Sequence, residues 1–420
     1  MSFFEFSEEI KNLDKNALKK AEESFKKIEE ISEYNSQKVL KAFTDNCVSE
    51  PDLGISTGYG YGDTGRDKLD KILSECFGTE DALIRHSFAS GTHTLSVALF
   101  GILRPGDKVL CVTGRPYDTI IGVFGIDEKV DGSLADFGIE YSQVDLKNGR
   151  PDTEKIKQAL KADDYKMAYI QRSRGYSLRP SLSIADIKEI CDAVRSVKED
   201  IVIMVDNCYG EFAEKEEPCA AGADLFAGSL IKNAGGGIAR SGGYIAGKAK
   251  YIEMCASRMT CAGVGREIGA SLGNNRELYM GLFAAPHTVG EALKTAVFAS
   301  AVFEELGFEV SPASDEARAD IIQSITLKSR ELLIDFCRGI QKGSPIDSFA
   351  VPEPAPMPGY SDEVIMAAGA FTLGASIELS ADGPLREPYA VWLQGGLNFH
   401  SAKIGILLAA SNILKSLKNL

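Results

Sequence analysis

One lysine, Lys232, stands inside Ala227-Gly-Ser-Leu-Ile-Lys-Asn-Ala-Gly-Gly-Gly237, a run of small residues that closes on three glycines. Twenty-six residues earlier the apolar run Ile201-Val-Ile-Met-Val-Asp206 closes on an acid. A lysine amine forms a Schiff base with a carbonyl, and a carboxylate can hold a ring nitrogen protonated. This order and separation suit a pyridoxal phosphate site, with Lys232 as the imine-forming amine and Asp206 as the partner of the pyridinium nitrogen. Ser90-Gly91-Thr92 reads as the entry to a helix, where backbone N–H groups, a hydroxyl and the positive dipole end can take a phosphate. Ser229, three residues before Lys232, can reach the same phosphate. Tyr117 follows a strand and can stack on a flat ring.

Each residue also has an ordinary explanation. Ser-Gly-Thr caps helices, a strand-terminal Asp caps the next helix, Tyr117 can be a half-buried loop tyrosine, and Lys232 one surface lysine among many. The joint order of all five on one alternating chain favours the cofactor site. A lysine buried in an apolar pocket loses its proton more easily, as imine formation requires.

The elements that must position these residues alternate after Arg66. Helical patterns are expected over 67–77, 90–103, 152–160 and 183–196, the last capped by Ser183 with Asp186 in its first turn. Strands are expected over 82–86, 108–112, 139–144, 167–171 and 201–205. Such alternation implies βαβ units and a mainly parallel sheet, an α/β fold, with ligands at the carboxyl ends of strands. Tyr117, Gln171 to Tyr176 and Asp206 all follow strands. Residues 8–45 carry apolar positions at helical spacing (Ile10, Leu13, Leu18, Ala21, Phe25, Ile28, Ile31) and form an amphipathic arm. Gly54 to Gly65 holds too many glycines for a regular element and is a shaped loop. From about Ala285 the character changes to a smaller α+β domain, with helices over 291–306 and 404–417 and a strand over 371–379. A proline-rich extended segment, Val351–Pro358, lies within it. The expected division is a helical arm (1–55), a large cofactor-binding domain (56–285) and a small C-terminal domain (286–420).

A chain of 420 residues, 44% hydrophobic and 25% charged, buries a large core as a globular protein. The net charge of −14 argues against a nucleic-acid or anionic-membrane binder. The N-terminus lacks the pattern of a secretory signal, and no apolar run reaches transmembrane length. Nine scattered cysteines without Cys-x-x-Cys fit reduced cytoplasmic thiols. Four histidines without ligand spacing give no metal site.

The stretches Gly58-Tyr-Gly-Tyr-Gly-Asp-Thr-Gly-Arg-Asp-Lys-Leu69, Ser87-Phe-Ala-Ser-Gly-Thr-His93, Val205-Asp-Asn-Cys-Tyr-Gly-Glu211, Gly228-Ser-Leu-Ile-Lys-Asn-Ala-Gly-Gly-Gly237, Gly281-Leu-Phe-Ala-Ala-Pro-His287, Asp382-Gly-Pro-Leu-Arg-Glu-Pro-Tyr389 and Leu393-Gln-Gly-Gly396 span nearly the whole chain. Together they resemble the methionine γ-lyase family, the cystathionine β-lyase-like branch also labelled aluminium resistance protein. The resemblance implies a fold type I pyridoxal phosphate-dependent transferase fold (aspartate aminotransferase-like). It implies that Lys232 holds the cofactor and acts as general base, Asp206 pairs with the ring nitrogen, and Tyr117 stacks on the ring. Ser90, Gly91, Thr92 and Ser229 would hold the phosphate. Tyr59, Tyr61 and Arg66 correspond loosely to a segment that completes this site from a neighbouring subunit, making the active unit a homodimer or homotetramer with shared sites. Arg386 is the expected carboxylate ligand, with Arg172, Arg174 and Arg240 as competitors. The wider group carries a Ser/Thr-Asn-Pro turn where this chain reads Gln171-Arg-Ser-Arg-Gly-Tyr-Ser177, so Ser173 or Tyr176 would take over the contact to the cofactor's phenolic oxygen.

The leading expectation is a carbon–sulfur lyase acting on a cystathionine-, methionine- or cysteine-type amino acid. Another fold type I reaction (aldolase, transaminase or sulfur transferase) and a cofactor-binding, stress-linked protein with little catalysis are the alternatives. The absence of Gly-x-Gly-x-x-Gly after the first strand lowers a nucleotide-binding Rossmann reading.

Overall fold

A computed structural model describes residues 3–357 and 362–419. Pro358, the end of the expected proline-rich segment, lies outside the described residues. The chain forms two units, Tyr34–Ala285 and Met1–Glu33 with Pro286–Leu420.

The first unit carries β1 (Asp81–Arg85), β2 (Lys108–Cys111), β3 (Glu140–Gln143), β4 (Met167–Gln171), β5 (Val202–Asp206), β6 (Leu225–Ser229) and β7 (Gly243–Gly247). They make one sheet in the order β1-β7-β6-β5-β4-β2-β3 among the described residues. Pairing is parallel from β6 through β5, β4 and β2 to β3, whereas β7 runs antiparallel to both neighbours. β4, β5 and β6 are buried along their whole length. That follows from their near-continuous Val, Ile, Met and Ala, as strands covered on both faces require.

The helices here are α1 (Glu8–Asp45, spanning residues of both units), α2 (Thr64–Phe77), α3 (Gly91–Ile102), α4 (Asp118–Phe124), α5 (Thr153–Ala162), α6 (Ile184–Arg195), α7 (Ala249–Met259) and α8 (Asn275–Glu305). α6 starts at a capping box: Ser183 Oγ accepts from Asp186 N, and the Asp186 carboxylate accepts from Ser183 N. Ser183→Ala is expected to cost about 1 kcal/mol, read as a lower midpoint in chemical denaturation. The long expected C-terminal helix begins earlier than its apolar pattern suggests and runs through Pro286.

The second unit adds β8 (Glu309–Ser311), β9 (Ile322–Thr326), α9 (Arg330–Lys342), β10 (Val364–Ala367), β11 (Ser380–Pro384), β12 (Ala390–Gln394) and α10 (Phe399–Asn419). Its sheet is antiparallel, in the order β10-β11-β12-β9-β8. Ile10, Leu13 and Ala17 of α1 belong to its core, with Phe298, Phe336, Val391 and Ile406. The alternation over Phe371 to Leu379 does not make a strand. Phe371 N and Thr372 N donate to the Glu378 carboxylate at 2.9 and 2.7 Å, so the segment folds back on itself and pairing starts only at Ser380. Among the described residues, no helix is long and apolar enough to cross a membrane.

Candidate active site

Parallel strands end on the same side of a sheet, and three of these ends carry the expected chemistry. Gln171 of β4 lies in register with Asp206 of β5, and Asp206 with Ala227 of β6. Ser229 closes β6, and Lys232 follows it by three residues. The glycines after Lys232 are required by close approach. A Cβ on Gly235 would fall 1.7 Å from the Leu230 carbonyl oxygen, and Gly236 takes φ +58° with the Gly281 carbonyl oxygen 2.3 Å from its would-be Cβ. The turn is therefore pressed against its own start and against α8.

Lys232 keeps part of its surface exposed, with Nζ 4.0 Å from the centroid of the Tyr209 ring, a cation–π contact. Asn233 Nδ2 donates to the carbonyls of Tyr209 (2.8 Å) and Glu211 (2.9 Å), tying the lysine turn to the one after β5. Asp206 is buried and accepts from Cys208 N at 3.1 Å. Burial raises the Asp206 carboxyl above its ordinary range, against the pull of the Lys232 ammonium. Burial works to lower the Lys232 pKa, but the groups around it, Cys208 and Tyr209 first and then Asp206 and Glu211, raise it above the ordinary value. The expectation of a lysine that sheds its proton through burial is thus corrected. Before cofactor binds, the acidic groups around the lysine together outweigh desolvation.

The phosphate cradle is built where α3 meets β6. Ser90 caps the helix, its Oγ accepting from His93 N at 3.0 Å. Gly91 and Thr92 stand in the first turn, where the helix offers their N–H groups no acceptor of its own. A Cβ on Gly91 would lie 3.2 Å from Ser229 Cβ and 3.7 Å from Cys208 Sγ, so glycine keeps the helix end open against the β6 end. Buried Ser229 is therefore beside the α3 N-terminus. Thr92 Oγ1 lies 2.9 Å from Thr119 Oγ1, a residue that sequence reasoning did not single out. Open N–H groups, three hydroxyl-bearing residues and a glycine-cleared space fit a phosphate. With a lysine and a buried carboxyl behind them, they fit pyridoxal phosphate.

Tyr117 heads α4, and its N–H donates to Gln171 Oε1 at 2.6 Å, while Gln171 Nε2 donates to the Ser173 carbonyl at 3.0 Å. Tyr176 lies against Tyr117, with ring centroids 6.3 Å apart. Gln171, not named as a site residue from the sequence, thus orients both the aromatic and the 171–177 loop. Gln171→Ala is expected to weaken pyridoxal phosphate binding about fivefold to tenfold, for the loss of about 1 kcal/mol of hydrogen bonding. A spectral titration of cofactor-free protein reads it.

The other expected residues are placed differently. Tyr59 and Tyr61 are exposed and stack on each other at 5.6 Å. Arg66 is buried, donating to the carbonyls of Gly60 and Gly269 (3.0 Å each) and to Asp67. Arg172 is fully buried, with donors committed to Leu182 O, Asn207 Oδ1, Gly210 O and Glu214 Oε2. Ser173 and Arg174 are buried, and Arg240 is an exposed partner of Glu277. Arg386, in the other unit, pairs with Asp362 at 3.0 Å on a half-exposed surface. Among the described residues, no cluster of His, Cys, Asp or Glu could hold a metal ion.

The profile of the methionine gamma-lyase family matches residues 10–414. The chain is 51% identical over 394 residues to the uncharacterized protein YnbB of Bacillus subtilis, covering 93% of each. It is similar to a solved carbon-sulfur lyase involved in aluminum resistance from Clostridium novyi NT, with 52% identity, a TM-score of 0.93 and coverage of 97% of this chain and 96% of that one. It shares the fold of the pyridoxal-5'-phosphate dependent protein YhfS of Escherichia coli, at 16% identity and a TM-score of 0.62 over 94% and 97% of the two chains.

Proposed function

The chain belongs to the methionine gamma-lyase family, and on that premise we propose that it is a pyridoxal phosphate-dependent carbon–sulfur lyase acting on a sulfur-containing L-amino acid. The observation that carries this reading is the convergence of Lys232, Asp206 and the Gly91–Ser229 cradle at the carboxyl ends of β5 and β6. When bound, pyridoxal phosphate supplies an electron sink for charge developing next to the substrate amine.

The protein's own groups do the rest. Asp206, as a carboxylate, would orient the ring nitrogen and keep it protonated. The N–H groups of Gly91 and Thr92, with the hydroxyls of Ser90, Thr92 and Ser229, bind the phosphate at the positive end of α3. Tyr117 would cover one ring face, with Ser173 and Tyr176 on the entrance loop. Lys232 would hold the cofactor, and its Nζ would carry protons between the substrate carbons. Elimination at the β carbon needs one abstraction, and elimination at the γ carbon needs a second, which the same amine can perform. Tyr59, Tyr61 and Arg66 complete the site from a neighbouring copy, which makes the working form a homodimer or homotetramer, in the cytoplasm.

Arg386 binds the substrate carboxylate in this reading, since a planar fork suits bidentate contact. Arg386→Ala is then expected to lower kcat/KM about tenfold to a hundredfold, for a charged hydrogen bond of about 1.5–3 kcal/mol, mostly through KM. Steady-state kinetics on the best substrate check it. The function itself is tested by incubating loaded protein with L-cystathionine, L-methionine, L-cysteine and L-homocysteine and identifying the keto acid. Pyruvate marks β-elimination and 2-oxobutyrate γ-elimination. Neither acid from any of the four overturns the proposal.

A further inference from the structure

The turn after β5 holds two large side chains on backbone that glycine favours. Tyr209 takes φ +71° and Phe212 φ +59°, and for bulky residues a positive φ is a strained outlier. Such strain persists only where the surroundings over-determine it, and here they do. Asn233 Nδ2, next to Lys232, donates to the carbonyls of Tyr209 at 2.8 Å and Glu211 at 2.9 Å. Asn35 Nδ2 of α1 donates to the carbonyls of Phe212 at 3.2 Å and Glu214 at 3.0 Å. Gly210 N and Ala213 N donate to the carbonyls of Asn207 and Gly210 and close the turn on itself.

This backbone places one ring. Tyr209 is buried, and Lys232 Nζ lies over its face, 4.0 Å from the centroid. The mechanism above gives that ring no part. Among the described residues, Nζ makes this contact and no ion pair. The difference matters for a group that must release protons. A carboxylate would accept a charge-assisted N–H bond and hold the ammonium firmly. A ring attracts the charge through its quadrupole and holds it less tightly, so the nitrogen can lose a proton or swing away without breaking a salt bridge. The titratable groups whose charge reaches Lys232 are Cys208, Tyr209, Asp206 and Glu211. All four come from the end of β5 and the turn that follows it, so ring and charges are brought to the lysine by one segment.

We propose that Tyr209 is a positioning residue whose ring face docks the Lys232 ammonium whenever that lysine carries no cofactor, fixing where the freed side chain waits between proton transfers. The strained turn is the device that presents the ring, and Asn233 locks it to the lysine's own turn.

The inference rests on Lys232 being the amine that holds the cofactor, and its test separates the two. Cofactor-free protein is prepared with lysine isotopically labelled at Cε, and the Lys232 signal is assigned by its loss in Lys232→Arg. In wild type the Lys232 Hε signals should lie upfield of the other lysines, shifted by the ring. Tyr209→Phe keeps the ring and should keep that shift, whereas Tyr209→Leu should return the signals to the common range. The same signals titrate with pH. The ring favours the charged form, so Tyr209→Leu should lower the pH at which Lys232 gives up its proton by up to about one pH unit, and Tyr209→Phe should leave it in place. Tyr209→Gly removes the ring and adopts the positive φ without strain, so it repeats the comparison if leucine does not fold. A merely structural role predicts that loss of the ring moves neither the Hε signals nor the titration, and that result overturns the proposal. So does a Tyr209→Phe variant that moves as far as Tyr209→Leu.

Pyridoxal phosphate is then added to the wild-type sample. A displaced Lys232 signal supports the cofactor reading on which the inference rests. An undisplaced one overturns that reading, while the ring shift and the titration still decide whether Tyr209 docks the ammonium.

Discussion

Lys232→Ala is expected to abolish the visible absorbance that pyridoxal phosphate acquires on binding and to lower turnover by about three orders of magnitude or more. Alanine removes the amine that attaches the cofactor and the base that moves protons afterwards, so two roles disappear with one side chain. The Asp206 carboxylate and the Gly91–Ser229 cradle remain, and cofactor should still bind, loosely and reversibly. Stability should change little. Asp206 and Glu211 both have raised carboxyl pKa values from burial, and both can take up protons when the ammonium is gone. Lys232→Arg makes the contrast. It keeps a cation beside the two acids and supplies no free amine at working pH, so it should lose activity as completely as alanine. Absorbance spectra, single-turnover kinetics and circular dichroism on both variants check this. A surviving visible band with normal turnover in either variant would falsify the assignment of Lys232.

Much of this site was legible because its parts are punctuated. β5 ends on Asp206 because an apolar run meets its first charge there, and α6 starts at Ser183 because the capping box is written in four residues. The glycines after Lys232 signal close approach, and Gly235 and Gly236 meet backbone on both sides. What could not be read depends on partners distant in the chain. The Phe371–Leu379 alternation has strand period, yet its amides go to Glu378, a choice no period reveals. Glu211 follows Asp206 by five residues as one more polar residue after a strand. Its meaning comes from Tyr244, 33 positions away, and from the space Gly228 leaves. The charge state of Lys232 was misjudged for the same reason. Burial alone lowers its pKa, and the opposing groups, Cys208 and Tyr209 ahead of Asp206 and Glu211, come beside it only once the turns are folded together.

Arg172 carries the second large effect, and it is one of stability. From sequence it stood as a competitor for the substrate carboxylate, at the pocket entrance. Folded, it is buried with Glu217, their side chains 0% and 1% exposed, and it also binds Glu214 at 2.6 Å and Asn207 at 2.7 Å. Its Nε holds the Leu182 carbonyl, just before α6, and one NH1 contact holds the Gly210 carbonyl, just after β5. Arg172→Ala therefore strips the buried Glu217 of the guanidinium 3.8 Å away and should cost about 3–5 kcal/mol, the range for breaking a buried pair on one side. The pH dependence gives the sign. Burial already raises the Glu217 carboxyl, and Arg172 pulls it down. Without the guanidinium its folded pKa climbs further above the unfolded value, so the variant loses stability as pH rises through that widened window. Denaturation at about pH 5.5 and about pH 8 should show the larger deficit at the higher pH. A carboxylate-binding Arg172 predicts the reverse division, a raised KM at unchanged stability. That outcome would remove the arginine from the scaffold and return it to the substrate pocket.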